Sequence, residues 1–149
     1  MDFRRIAVSA IVLIAIAGVS APFANASLAA KKPAPLSVLV TNDDGIGSPG
    51  IDTLVETLRK DKTLKVTVIA PATNQSGTGG KVTGGTLVTA PATTASGYVA
   101  TAVTGFPADS IVYALDQGGI VKKPNLVISG INQGQNLGSI TALSGTVGA

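Results

Sequence analysis

The chain has 149 residues, with 11 basic and 8 acidic side chains, 18 glycines, no cysteine and no histidine. That length fits a single domain. The composition excludes a thiol nucleophile, a disulfide framework, a histidine base and the nitrogen and sulfur donors that zinc prefers, so any chemistry here must run on carboxylates, hydroxyls, amides and oxygen-bound metal.

At the start of the chain, Arg4 and Arg5 precede an apolar run over residues 6–19, and Ala24-Asn25-Ala26 supplies the small residues of a cleavage site. This is the pattern of a secretory signal over residues 1–26. The apolar run falls short of the roughly 20 residues needed to cross a bilayer, which argues for cleavage rather than anchoring. The expected mature chain is soluble, begins near residue 27, and is periplasmic or secreted. Without Arg4, Arg5 and Asp2 it carries nine basic and seven acidic residues, and no basic run is longer than a lysine pair. Neither nucleic acid nor a membrane is an expected partner.

A linker over residues 27–35, containing Lys31, Lys32, Pro33 and Pro35, leads into a continuous apolar and β-branched run at 36–41, predicted to be a buried parallel strand. Ser48-Pro49 provides an N-cap and a proline at the first helical position, and Ile51, Leu54, Val55 and Leu58 follow at helical spacing. Glu56 and Lys60 stand at i and i+4 on the exposed face. Residues 64–70 form a second apolar strand, and a strand-helix-strand order of this length implies parallel pairing with a right-handed crossover. Residues 71–80 are a loop. The Thr- and Val-rich stretches 81–90 and 98–105 predict a hairpin or an excursion at the sheet edge. Pro107, Asp109, Ile111, Val112 and Leu115 predict a second proline-started helix, and 126–129 a short strand. Residues 130–145, rich in Gly, Asn and Ser, are too polar for a regular element without bound partners. The sum is an α/β fold with helices on the faces of a sheet, where ligands gather beyond the carboxyl ends of the strands.

Three polar clusters fall at those strand ends. Asn42-Asp43-Asp44-Gly45 follows the first strand, and two adjacent ionised carboxylates beside a low-dielectric sheet need a cation or several donors. By itself the tetrapeptide also fits an ordinary Asp-Gly turn. Asn74-Gln75-Ser76-Gly77 follows the second strand and doubles as a glycosylation sequon, as does Asn25-Ala26-Ser27. Ser129-Gly130-Ile131-Asn132, running on to Asn136, follows the third. Two look-alikes are set aside. Gly45-Ile46-Gly47-Ser48-Pro49-Gly50 matches the G-x-G-x-x-G dinucleotide pattern, but no acidic residue ends the second strand and the aspartates would face the pyrophosphate. Gly80-Lys81 lacks the Ser or Thr of a Walker A loop, because Val82 follows and Gln75 takes the place of the first glycine.

The blocks Val40-Thr41-Asn42-Asp43-Asp44-Gly45 with Pro49-Gly50, Ala70-Pro71 with Asn74-Gln75-Ser76-Gly77, Gly105 with Pro107-Ala108-Asp109, Ser129-Gly130-Ile131-Asn132 with Gly134 and Asn136-Leu137-Gly138, and the closing Ser144-Gly145-Thr146-Val147-Gly148-Ala149 resemble the SurE family in order and spacing. The resemblance covers residues 36–149. It implies a Rossmann-like three-layer sandwich with a mostly parallel sheet, and a homo-oligomeric phosphatase that hydrolyses nucleoside 5'-monophosphates with a divalent metal. It implies that Asp43, Asp44, Ser76 and Asn132 occupy metal-ligand positions, with Asp43 and Asp44 catalytic, and that Asn42, Asn136, Ser144, Gly145 and Thr146 surround the phosphate. Two carboxylates, a hydroxyl and an amide form a hard oxygen site suited to magnesium or manganese, and calcium also fits. Departures from the family pattern are Phe106 in place of a threonine, Thr78-Gly79-Gly80-Lys81 after the Ser-Gly pair, and the lack of acidic or aromatic residues between Gly138 and Ser144. The sequence stops at Ala149, where the resemblance leads one to expect roughly as much chain again. The alternative expectation is therefore a truncated, non-catalytic fragment that binds metal or phosphate.

Overall fold

The computed structural model describes residues 32–149, so the predicted signal over residues 1–26 and the linker as far as residue 31 lie outside the described residues. Strands β1 (Leu36–Thr41), β2 (Leu64–Pro71), β3 (Val88–Thr93), β4 (Val99–Thr104) and β5 (Leu126–Ser129) form one sheet in the order β3-β4-β2-β1-β5. β1 lies parallel to β2 and to β5, β2 lies parallel to β4, and only β3 runs antiparallel, against β4. The predicted first, second and last strands form in register, Val40 opposite both Val68 and Ile128.

Alternation along β1 and β2 builds two separate cores. Val38, Val40, Val66, Val68 and Ala70 face helix α1 (Pro49–Leu58) and pack with its Ile51 and Val55, both 0% exposed. Leu39, Ile69 and Val103 point the other way and meet Ala114 of helix α2 (Pro107–Asp116). One helix on each face makes three layers. The opposite placement follows from the chain direction: β1 to β2 travels one way across the sheet and β4 to β5 the other, so one hand of crossover puts α1 and α2 on opposite faces. Among the described residues no helix is long and apolar enough to cross a membrane.

Several local expectations are corrected. The stretch 81–90 is a hairpin strand only from Val88; before it, Gly84 and Gly85 take φ of +77° and +66°, and Thr83 and Leu87 donate their backbone N–H groups to the Asp109 carboxylate and the Gln117 side-chain carbonyl. Those side-chain acceptors substitute for a strand ladder. The expected hairpin at the sheet edge does form, as β3 against β4 with β3 outermost. Ser48 stands at the N-cap of α1 without capping through its side chain, because its hydroxyl accepts from Asn42 Nδ2 at 2.8 Å. Glu56 pairs with Arg59 at 2.8 Å, one turn of i+3, instead of with Lys60. Phe106 takes the N-cap of α2, where a ring cannot accept a hydrogen bond; half of a capping box survives, with Asp109 accepting from Phe106 N–H at 2.8 Å. Within 130–145, expected to be irregular, a 3-10 helix forms over Gly138–Leu143, followed by the single-turn α3 (Gly145–Gly148), whose N-cap Ser144 accepts from Val147 N at 3.2 Å.

Candidate metal and phosphate site

The parallel strands all end at one edge of the sheet. From β1 the chain moves outward through β2 to β4 and then returns past β1 to β5, so the carboxyl ends of β1 and β5 flank a topological switch point, where α/β sheets leave a crevice. Asp43 and Asp44 follow β1 there, and the loop that opens at Gly130 follows β5.

Three segments distant in sequence converge on this pair. Asp43 is 3% exposed, and its Oδ1 accepts from Thr146 Oγ1 at 2.5 Å, while its main-chain carbonyl accepts from Gln75 N at 2.6 Å. Asp44 is half-buried; its Oδ2 accepts from Gln133 N at 2.7 Å and its Oδ1, more weakly, from Asn74 Nδ2 at 3.4 Å. The loops after β1, β2 and β5 and the turn α3 are thereby tied together through two carboxylates.

Glycines permit the approach. Gly45, at φ +93°, would place a Cβ 2.9 Å from the Thr73 carbonyl carbon. A Cβ on Gly145 would meet Asp43 Cβ at 2.7 Å and Pro107 Cγ at 2.9 Å, so α3 and the start of α2 both close on Asp43. On Gly50 a Cβ would lie 1.9 Å from the Ile131 carbonyl oxygen, which seats the β5 loop directly on the first turn of α1.

The predicted site residues divide by placement. Asp43 meets Gly145 and Thr146 of α3, whose N-cap is Ser144, while Asp44 is tied to the loops after β2 and β5. Ser76 is exposed on the β2 loop, its N–H donated to Asn74 Oδ1 at 2.8 Å, two residues beyond the side chain that reaches Asp44. Asn132 is half-buried between Ile131, seated on Gly50, and Gln133, bonded to Asp44. Asn42 is fully buried, with Nδ2 donated to Gly45 O at 3.1 Å and to Ser48 Oγ at 2.8 Å, which makes it a brace of the aspartate loop; its Oδ1 is buried and without a partner. Asn136 is half-buried four residues beyond Asn132 and makes no side-chain hydrogen bond among the described residues. Sequence reasoning missed Gln133, which acts through a main-chain N–H and leaves no side-chain signal, and the spatial role of Gly50, whose Pro-Gly pair was visible without its purpose.

Among the described residues the one ion pair is Arg59 with Glu56, so neither Asp43 nor Asp44 has a cationic partner. Asp43 Oδ2 also has no hydrogen-bond donor there. A buried carboxylate without a counter-charge is costly, and a divalent cation offsets that cost. The donor types present, all oxygen, fit a hard ion.

A family model described as "Survival protein SurE" matches residues 38–149. The 5'-nucleotidase SurE of Paramagnetospirillum magneticum is 42% identical over 120 residues, covering 78% of this chain and 44% of that protein. The 5'-nucleotidase SurE of Methanopyrus kandleri is 41% identical over 118 residues, covering 76% and 42%. The crystal structure of the SurE protein from Aquifex aeolicus aligns with a TM-score of 0.60 at 39% identity, covering 76% of this chain and 44% of that one. The chain thus spans less than half the length of these relatives. With the family match running from the first strand to Ala149, the chain belongs to the SurE family.

Proposed function

We propose that this chain carries the metal and phosphate site of a phosphomonoester hydrolase acting on nucleoside 5'-monophosphates. The observation that supports it most is the pair Asp43 and Asp44, without a cationic partner among the described residues, held at the switch point by the loops after β2 and β5 and by α3. Relatives named 5'-nucleotidase point to the same substrate class.

In this reading Asp43, Asp44, Ser76 and Asn132 hold a divalent cation, magnesium or manganese. When bound, such an ion supplies a Lewis acid and a more acidic water. The protein's own groups do the rest. Thr146 occupies Asp43 Oδ1 and so fixes the orientation of that carboxylate, and Gln133 N–H does the same for Asp44. The Asn136 amide, the Ser144 hydroxyl and the main-chain N–H groups of Gly145 and Thr146 are left to face the phosphoryl oxygens and offset charge that develops during transfer. Asn42 keeps the aspartate loop in shape through Gly45 and Ser48.

The test is phosphate release from p-nitrophenyl phosphate and adenosine monophosphate by the complete protein in magnesium or manganese. Asp43→Asn and Asp44→Asn are expected to abolish it; unchanged turnover in both refutes the assignment. Because the chain covers less than half of its relatives, a second reading is a non-catalytic fragment that binds metal or phosphate. Stabilisation by magnesium without turnover in the chain as it stands selects that reading.

Export to the periplasm or medium is proposed from the Arg4-Arg5, apolar and Ala24-Asn25-Ala26 pattern. A mature N-terminus at Ser27, read by mass spectrometry, is the expected result. Homo-oligomeric assembly of the complete protein is proposed as well, on the likeness to the SurE family alone. Light scattering checks it.

A further inference from the structure

The basic residues of the compact unit Pro33–Ala149 are segregated along the strands. Arg59, Lys60 and Lys62 follow α1, Lys65 lies at the start of β2, and Lys122 and Lys123 precede β5, so these six cations stand at the amino end of the parallel strands. Lys81 alone stands at the carboxyl end, on the loop that leaves β2.

The backbone on both sides of Lys81 is pinned. Ahead of it, Gly79 N donates to Leu143 O at 3.1 Å, and Gly148 lies so near that its Cβ would meet Gly79 C and Gly80 N at 2.5 Å. Beyond it, Thr83 N and Thr83 Oγ1 donate to the Asp109 carboxylate at 2.9 Å and 2.5 Å, and Asp109 is 1% exposed in the first turn of α2. Both anchors belong to the wall around Asp43. α3 supplies Gly145 and Thr146, and Pro107 of α2 lies against Gly145. The side chain of Lys81 is exposed and joins no ion pair among the described residues.

We propose that Lys81 binds the phosphoryl group of the substrate, giving this site a phosphate-facing ammonium. The inference rests on the phosphatase reading of the preceding section. Its physical basis is charge. One divalent cation only cancels Asp43 and Asp44, and the buried Asp109 adds a further carboxylate to the same wall, so a phosphate dianion gains nothing from the net field without another cation. An ammonium on a long flexible stem, attached to an anchored backbone, supplies it as a point charge.

The experiment is calorimetric titration of inorganic phosphate and of adenosine monophosphate into the full chain in magnesium, for wild type, Lys81→Met and Lys81→Arg. Lys81→Met is expected to weaken phosphate binding by about tenfold or more, the range of a hydrogen bond between charged groups. Lys81→Arg is expected to restore most of it, with melting temperature and magnesium affinity close to wild type in both. Equal phosphate affinity in wild type and Lys81→Met, or an equal loss in both variants, overturns the role of Lys81 while leaving the phosphatase reading intact. Failure of the wild type itself to bind phosphate in magnesium overturns that reading, and this inference with it.

Discussion

Replacing Gly50 with alanine sets helix propensity against a steric contact. Gly50 is helical in the first turn of α1, so alanine gains at most about 1 kcal/mol in the helix. Its Cβ would stand 1.9 Å from Ile131 O and 3.0 Å from Ile131 C. Restoring an ordinary separation of about 3.5 Å forces the β5 loop back by about 1.5 Å. Two residues on, the same loop donates Gln133 N to Asp44 Oδ2 at 2.7 Å, and such a retreat carries that bond past the limit of a hydrogen bond. Losing a bond to an ionised acceptor costs about 1.5–3 kcal/mol, which outweighs the helix gain and also moves Asn132. Gly50→Ala is therefore expected to lower the melting temperature by several degrees and to weaken magnesium or manganese binding by about tenfold, read by thermal unfolding and calorimetry. Gly47→Ala is the control, since nothing lies within 4 Å of its Cβ. A Gly50→Ala protein with wild-type metal affinity and an equal or higher melting temperature refutes the reasoning.

Thr146→Val removes the donor to buried Asp43 Oδ1 at nearly constant volume and is expected to destabilise the metal-free chain by about 1–3 kcal/mol in urea unfolding; a change within error would dissociate Thr146 from Asp43. Asp109→Ala strands the Phe106 N–H and both donors of Thr83, with an expected loss of about 2–4 kcal/mol at neutral pH by the same measurement. In the first turn of α1, the Thr94 hydroxyl first, then the Ser96 hydroxyl and N–H, hold the Asp52 carboxyl below its ordinary value of 3.8. A depressed folded-state value adds stability that is present above 3.8 and is lost as pH falls through the lower folded value. Hydrogen exchange at Gly97 N–H, bonded to Thr94 O, should accelerate in that acid window beyond its intrinsic trend in wild type and show no such extra response in Asp52→Asn; identical profiles would count against Asp52 holding the Thr94–Ser96 turn.

Apolar, β-branched runs made β1 and β2 legible, because strands covered on both faces leave a nearly unbroken hydrophobic signal, and β5 was legible as a short apolar run bounded by Pro124-Asn125 and Gly130. The proline-started helices were legible for the same local reason. What stayed hidden depends on distant partners. Nothing in Thr83 or Leu87 announces that Asp109 and Gln117 will take their N–H groups, so their composition reads as strand. Ser48 looks like a helix cap until Asn42 claims its hydroxyl. The site was visible as residue types at strand ends, Asp43 and Asp44 above all. Its assembly was not, since Gln133 contributes only backbone and Gly50 and Gly145 contribute only the space left by a missing Cβ.

Asp44 draws its strongest donor from the loop behind β5, a four-residue strand with one edge unpaired among the described residues and two half-bare apolar side chains. Such a strand is the natural place for the sheet to fray. Docking of β5 and occupancy of the aspartate pair then share one equilibrium: whatever binds the carboxylates is paid back as protection of Val127 and Ile128 against exchange, and whatever clamps the outer edge of β5 tightens ligand affinity from a distance.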